Sequence, residues 1–381
     1  MENYPEDAIK SFLRIETPQI KDKTYYEINP QKTIISLYDP FDKKPSDKAS
    51  NFELDKIFTS ENENSYIYEE ICLNTVKDAL EGISYSFILY GETSKHKLGA
   101  IIGNLEDCYT NINHRGIYPR LLDNLLKKIK KKENKSKKYC ILASYYLIYN
   151  NNLIDLSDLN NIDLSSLTIN DLFNKAFIIK NETDIINKIN KIKIEKYEDS
   201  LLTLNNIISF LIQIERKTNE NIYSRSHICI SLYITNRQNN NINNISTINF
   251  VILNGSEYLY SGKTQKLKSQ NQKDININKS LVEASKYTLE TQYTYETIYN
   301  CMKSIKCLNT LKENDYKENT LFSNLTTVLY NNCFSDEIPK MKYRVIGTIL
   351  PNTGFYNSVK DTILFIYDCR TILKKKKTNE L

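Results

Sequence analysis

Residues 84–99, "SYSFILYGETSKHKLG", decide how the chain is read. The stretch up to Tyr90 is a short, mainly apolar run of strand length, the pattern of a buried β-strand. Gly91 follows, then His96 at the sixth position of the loop, Lys97 and Leu98. This is the rhythm of a phosphate-binding loop. Such a loop uses glycines so that backbone N–H groups can wrap the phosphates, a lysine to balance their charge, and a Ser or Thr hydroxyl on the metal. Here the lysine is kept, the sixth position carries a side chain, and Leu98 has no oxygen to offer. On this stretch alone, a decayed nucleotide site and a coincidence both remain open.

Working outward, residues 52–58, "FELDKIF", alternate as a strand, and 66–81 read as a helix. The segment 118–132 has helical periodicity, with Leu121, Leu122, Leu125, Leu126 and Ile129 on one face. A strand is predicted at 139–149 and an amphipathic helix at 199–218. Strands at 227–235 and 247–253 form a hairpin around an Asn-rich turn at 238–247. Helices after 278, a strand at 344–350 and a helix at 356–372 complete a mixed α/β pattern with no dividing linker.

With 381 residues, 40% apolar and including 28 Tyr and 13 Phe, the chain has material for a substantial core. Its net charge of +5, from 51 basic and 46 acidic residues, names no partner by itself. The runs Lys127–Lys138 and Lys374–Lys377 read as solvated stretches of a Lys-biased chain, in preference to nucleic-acid contacts or a nuclear signal. Eight Cys with no Cys-x-x-Cys pair, and three His, argue against a structural zinc site and suit a reducing compartment. The N-terminus lacks the build of a signal peptide and no apolar run is long enough to cross a bilayer, so an intracellular protein without membrane insertion is expected.

The order of short motifs says more than any one of them. After the loop come "GIYPR" (116–120), "SYYLIYNNNLIDL" (144–156), "YSRSH" (223–227), "LNGSE" (253–257), "NINKSL" (276–281), "YKENTLFSNL" (316–325) and "TILPNTGFYNSVKDTILFIYDCR" (348–370). In that order they match "GIIPR", "SFLEIYNEKIYDL", "SSRSH", "LAGSE", "NINKSL", "YRDSKLTRLL" and the closing segment of the kinesin motor domain. The sequence resembles that family over roughly residues 9–373, with 374–381 as a short basic tail.

The resemblance implies an α/β fold of the P-loop NTPase-like kinesin type, a central mixed β-sheet flanked by helices on both faces. It implies ATP with Mg²⁺ as the family's ligand, and nucleotide-binding positions at Gly91, Thr93, Lys97, Gly255 and Arg14. Ser224, Arg225 and Glu257 stand at the family's switch positions, where arginine and glutamate pair as the pocket closes. Microtubules are the implied partner, contacted through Lys263, Lys266, Lys268, Lys273, Lys279 and Lys317. The chain departs from the pattern in ways that weaken the nucleotide site. Ser94 and His96 replace loop glycines, Leu98 replaces the metal-binding hydroxyl, and Ile252 replaces the second switch's Asp. Near the N-terminus "RxRP" has become Arg14, Ile15, Glu16, Thr17. The expectation is a cytoplasmic, microtubule-binding protein of the cytoskeleton whose ATP binding and hydrolysis are weak or lost. An active ATP-driven motor and a scaffold lacking both activities are the alternatives. No metal site and no nucleic-acid partner are expected. With little chain after Arg370, dimerisation would need a partner chain.

Overall fold

The computed structural model describes residues 9–17, 24–40, 49–91, 95–104, 111–132, 138–149, 152–157, 176–177, 189–218, 226–238, 241–255, 341–352, 354 and 356–374. Strand β1 (Ile9–Ile15) is followed by the short strands β2 (Tyr26–Ile28), β3 (Ile34–Leu37), β4 (Ser50–Glu53) and β5 (Lys56–Phe58). Helices α1 (Asn64–Ile71) and α2 (Thr75–Leu80) lead into β6 (Ser84–Gly91), and α3 (Lys95–Ile101) and α4 (Ile117–Lys132) lead out of it. Then come β7 (Lys138–Tyr149), β8 (Asn152–Asp155), β9 (Ala176–Phe177), β10 (Ile192–Ile194), α5 (Tyr197–Thr218), β11 (His227–Gln238), β12 (Asn241–Gly255), β13 (Met341–Ile349) and α6 (Tyr356–Lys374).

One sheet of ten strands runs in the order β5-β1-β13-β6-β12-β11-β7-β8-β9, with β10 on β7. The pairings among β5, β1, β13, β6 and β12 are parallel, and those from β12 through β11, β7, β8 and β9 are antiparallel. The sheet is therefore mixed. Every residue of β6 is buried, because helices or other elements cover both faces at the centre of a parallel half-sheet.

On one face, α1 to α5 contribute to a core that includes Leu121, Leu122, Leu125, Leu204, Leu211, Phe87 and Phe250. On the other face, α6 and the small sheet β2-β3-β4 pack around Leu13, Ile35, Val345, Val359, Ile363 and Ile366. Gly347 on β13 lets α6 lie close: a Cβ there would come within 3.0 Å of Ile366 Cδ1 and 3.2 Å of Thr362 Cγ2. The expected helices on both faces are present.

Three local expectations are corrected. "FELDKIF" is two strands in two sheets, since β4 pairs with β3 and β5 pairs with β1. The crossing point is pinned where Leu54 donates its N–H to Thr33 and Asp55 to Ser11, while the Asp55 carboxylate accepts the Ser11 N–H at 2.8 Å. The helix at 66–81 is broken, because Asn74 adopts a left-handed φ of 67° between α1 and α2. The Asn-rich turn is far shorter than 238–247: the β11–β12 ladder continues to Gln238 opposite Asn241. Backbone pairing there runs through a stretch whose side chains favour turns. The helices expected after residue 278 lie outside the described residues.

Candidate functional site

The site grows from the C-terminal end of β6. Register places Arg14 on β1 beside Thr348 on β13, Thr348 beside Gly91 on β6, and Gly91 beside Gly255 on β12. Four strands thus end in one row, the place where open α/β sheets present their ligand crevices. Gly91 has a φ of +145°, and a Cβ there would come within 2.0 Å of the Thr348 carbonyl oxygen. Only glycine fits without moving a strand.

Lys97 comes back to this row from α3. Its side chain is buried, and Nζ donates to the Leu253 carbonyl at 2.7 Å and to the Gly91 carbonyl at 3.3 Å. One ammonium therefore bridges the ends of β6 and β12. Leu98, the next residue on α3, is 7% exposed, and Ile252 is 3% exposed; both belong to the apolar core on the helix-rich face. Ile252 is in register with Leu89 of β6 and with Ile228 of β11.

His227 opens β11 and is also buried. Its pKa is pushed down to about 3, first by burial and second by the Lys97 charge. The imidazole is accordingly neutral near pH 7. His227 is the last residue of the "YSRSH" motif (223–227); what the motif does not give is its closeness to Lys97.

At the β1 edge of the row, Arg14 forms an ion pair with Glu16, Nε to Oε1 2.6 Å, and Nη1 donates to Asn64 Oδ1 at 3.1 Å. Alternate residues of a strand share a face, which is the sequence signal that could have predicted the Arg14–Glu16 pairing. Beyond them Thr17 Oγ1 donates to Ser60 Oγ at 2.6 Å. The glutamate that stands where the resemblance calls for a second arginine is thus used as the partner of the first.

The structure therefore gathers Gly91, Lys97, Gly255 and Arg14 along one end of the sheet. Thr93, Ser224, Arg225, Glu257, Lys263, Lys266, Lys268, Lys273, Lys279 and Lys317 lie outside the described residues. Among the described residues no group of three or more His, Cys, Asp or Glu side chains is placed to hold a metal ion.

Against known proteins, residues 16–291 match the family model for the kinesin motor domain. The chain is similar to the kinesin-like protein KIP1 of Saccharomyces cerevisiae, 24% identical over 278 residues that cover 67% of this chain and 24% of that protein. It is also similar to the kinesin-like protein KIF9 of Mus musculus, 29% identical over 219 residues covering 55% of this chain and 25% of the relative. The chain thus spans about a quarter of the length of these relatives. Among solved structures, that of a fast kinesin aligns with a TM-score of 0.67 at 16% identity, over 97% of this chain and 93% of the other.

Proposed function

Because the chain belongs to the kinesin motor-domain family, we propose that it is a motor-derived protein that binds microtubules and has weak or lost ATP binding and hydrolysis. The observation that carries the second half is the burial of Leu98 and Ile252 in the apolar core. These two positions correspond to the family's metal-anchoring hydroxyl and carboxylate. Magnesium takes oxygen ligands in near-octahedral geometry, and neither side chain has one. The side chains at these two positions do not fit the ion. Phosphoryl transfer depends mainly on positioning and on charge neutralisation around the phosphates, and a chain without metal anchors loses much of both.

What remains has a mechanical and electrostatic character. Lys97 joins the ends of β6 and β12 through the Gly91 and Leu253 carbonyl oxygens. Lys263, Lys266, Lys268, Lys273, Lys279 and Lys317 supply positive charge where the family meets its acidic filament, giving attraction that weakens with salt. On this reading residues 9–373 act as the motor-like unit, 374–381 as its tail, and the protein works on cytoplasmic microtubules. Among the described residues no helix is long and apolar enough to cross a membrane.

The convergence of Gly91, Lys97 and Gly255 favours one competing reading, an ATP-driven motor. Co-sedimentation with purified microtubules, in ATP and in a non-hydrolysable analogue across a salt series, tests both. Equal pelleting in the two nucleotides, falling as salt rises, is expected. Pelleting that differs between them, together with magnesium-dependent phosphate release stimulated by microtubules, would establish the motor instead. An absence of pelleting at low salt would remove microtubules as the partner.

A further inference from the structure

We propose that the lysine-rich end of α4 is a second docking surface, separate from the filament-binding segment above, and that it takes a carboxylate-rich polypeptide. Lys127, Lys128, Lys130, Lys131 and Lys132 are all exposed, while Leu125 and Ile129 turn into the core. Lys127 is paired with Asp123 at 2.7 Å; for the other four no carboxylate partner occurs among the described residues. Lys127 with Lys130 and Lys131, and Lys128 with Lys131 and Lys132, stand at the separations that face each other on a helix, so like charges repel along one side. The helix's own C-terminal carbonyls offset part of this repulsion. An acidic partner would relieve the rest.

The surface also lies far from the Lys97 site. The chain leaves α4 and enters β7 at the exposed Lys138, which is in register with Arg237 of β11. Leu232 of β11, Ile248 of β12 and Tyr85 of β6 form one row, and Arg237 lies beyond it in the direction opposite to Gly91. At about 3.3 Å per residue, the two ends of the sheet are on the order of 30 Å apart. Lys138, the first residue of β7 after α4, therefore stands at the end of the sheet away from the β6 exit.

The chemistry favours a polypeptide over a nucleic acid. From Lys127 to Lys132 the exposed residues are all lysine, with no arginine fork for bidentate phosphate contact and no aromatic ring for base stacking. Point charges on flexible stems match mobile Asp and Glu side chains without demanding a geometry. The natural source of such carboxylates is the acidic filament, and that identification rests on the function proposed above.

The test is a fluorescence anisotropy titration of the full chain with a labelled oligoglutamate peptide. Its variant is Lys128→Glu combined with Lys131→Glu and Lys132→Glu, alongside a second triple variant, Lys263→Glu, Lys266→Glu and Lys268→Glu. The α4 variant is expected to bind the peptide at least roughly tenfold more weakly at low salt, with a shallower salt dependence, while the second variant keeps most of the affinity. Peptide affinity within about twofold of the unsubstituted chain for the α4 variant would overturn the proposal. So would α4-dependent binding of homopolymeric RNA tighter than that of the peptide. Because Lys128, Lys131 and Lys132 are exposed, the α4 variant should melt with the unsubstituted chain; a charge-neutral Lys→Gln set at the same positions, expected to lose affinity as well, serves if it does not. In microtubule pelleting, the second variant should retain a residue of binding that adding the α4 substitutions abolishes. Peptide binding at α4 without any pelleting would refute the microtubule reading and leave this surface standing; pelleting without peptide binding would do the reverse.

Discussion

The two ends of β6 each hold a lysine, part-buried Lys342 at one and buried Lys97 at the other, in different ways. At its N-terminal end Lys342 meets a carboxylate: its Nζ lies 3.0 Å from Asp78 Oδ2, and the Tyr85 hydroxyl donates to the same oxygen at 2.7 Å. Arg344 lies over the Tyr85 ring, 5.2 Å from its centroid. At the C-terminal end Lys97 reaches two backbone carbonyls, beside a neutral imidazole and between apolar neighbours. The first end is closed chemically, with charge against charge. The second is closed sterically, by a glycine, two carbonyl bonds and the packing of Leu98 and Ile252. The difference teaches that two ends of one buried strand can be held to their neighbours by unlike means, an ion pair at one and a lysine on backbone carbonyls beside apolar packing at the other.

If the Gly91 end is a steric joint, it should be the less forgiving of added volume. Gly91→Ala is expected to give the largest effect, about 4 kcal/mol of lost stability or failure to fold, since a positive φ and a backbone clash act together. Urea denaturation of the variant measures it, and a loss below about 1 kcal/mol would show that the row of strand ends can open.

The opposite end should be sensitive to charge and indifferent to small changes in volume. Asp78→Ala is expected to cost about 3 kcal/mol, because Lys342 and the Tyr85 hydroxyl then lose their shared acceptor while still largely buried. Adding Lys342→Met to that background should recover part of the loss, a double-mutant comparison that isolates the pair. If the double variant is no more stable than Asp78→Ala alone, the lysine is not the reason for the carboxylate.

Much of this arrangement was legible in the sequence wherever periodicity and burial agree. The apolar run of β6, the stripe of α4 and the amphipathic α5 lie within a few residues of their expected places. What was not legible depends on partners distant in sequence. "FELDKIF" alternates as one strand would, yet its halves pair with β3 and with β1. The break at Asn74 is a single left-handed residue inside a helical pattern. At the site, the motif located Gly91, Lys97 and Gly255, and it flagged Leu98 and Ile252 as substitutions. It could not give the Leu253 carbonyl as an acceptor for Lys97, since a backbone oxygen 156 residues away has no residue-type signature. That Leu98 and Ile252 are apolar was visible as letters; that both are packed into the core was visible only in the fold.

The smallest expected effect separates the two ends by pH. His227 belongs to the Gly91 end, and its pKa falls from the ordinary 6.5 to about 3 in the folded chain, through burial first and Lys97 second. Between those values the unfolded chain takes up a proton that the folded chain refuses, so stability falls on acidification through that window and is fully present only above 6.5. From pH 7 to pH 5.5 the loss from this one group is about 1 kcal/mol. Urea midpoints at the two pH values should show it, and His227→Gln should remove that part of the slope while Asp78→Ala leaves it in place. A slope unchanged by His227→Gln would mean that the imidazole finds a proton, and hence water or an anion, at the Lys97 end. In that case the joint is open to solvent, and the contrast between a charge-closed end and a packed end fails.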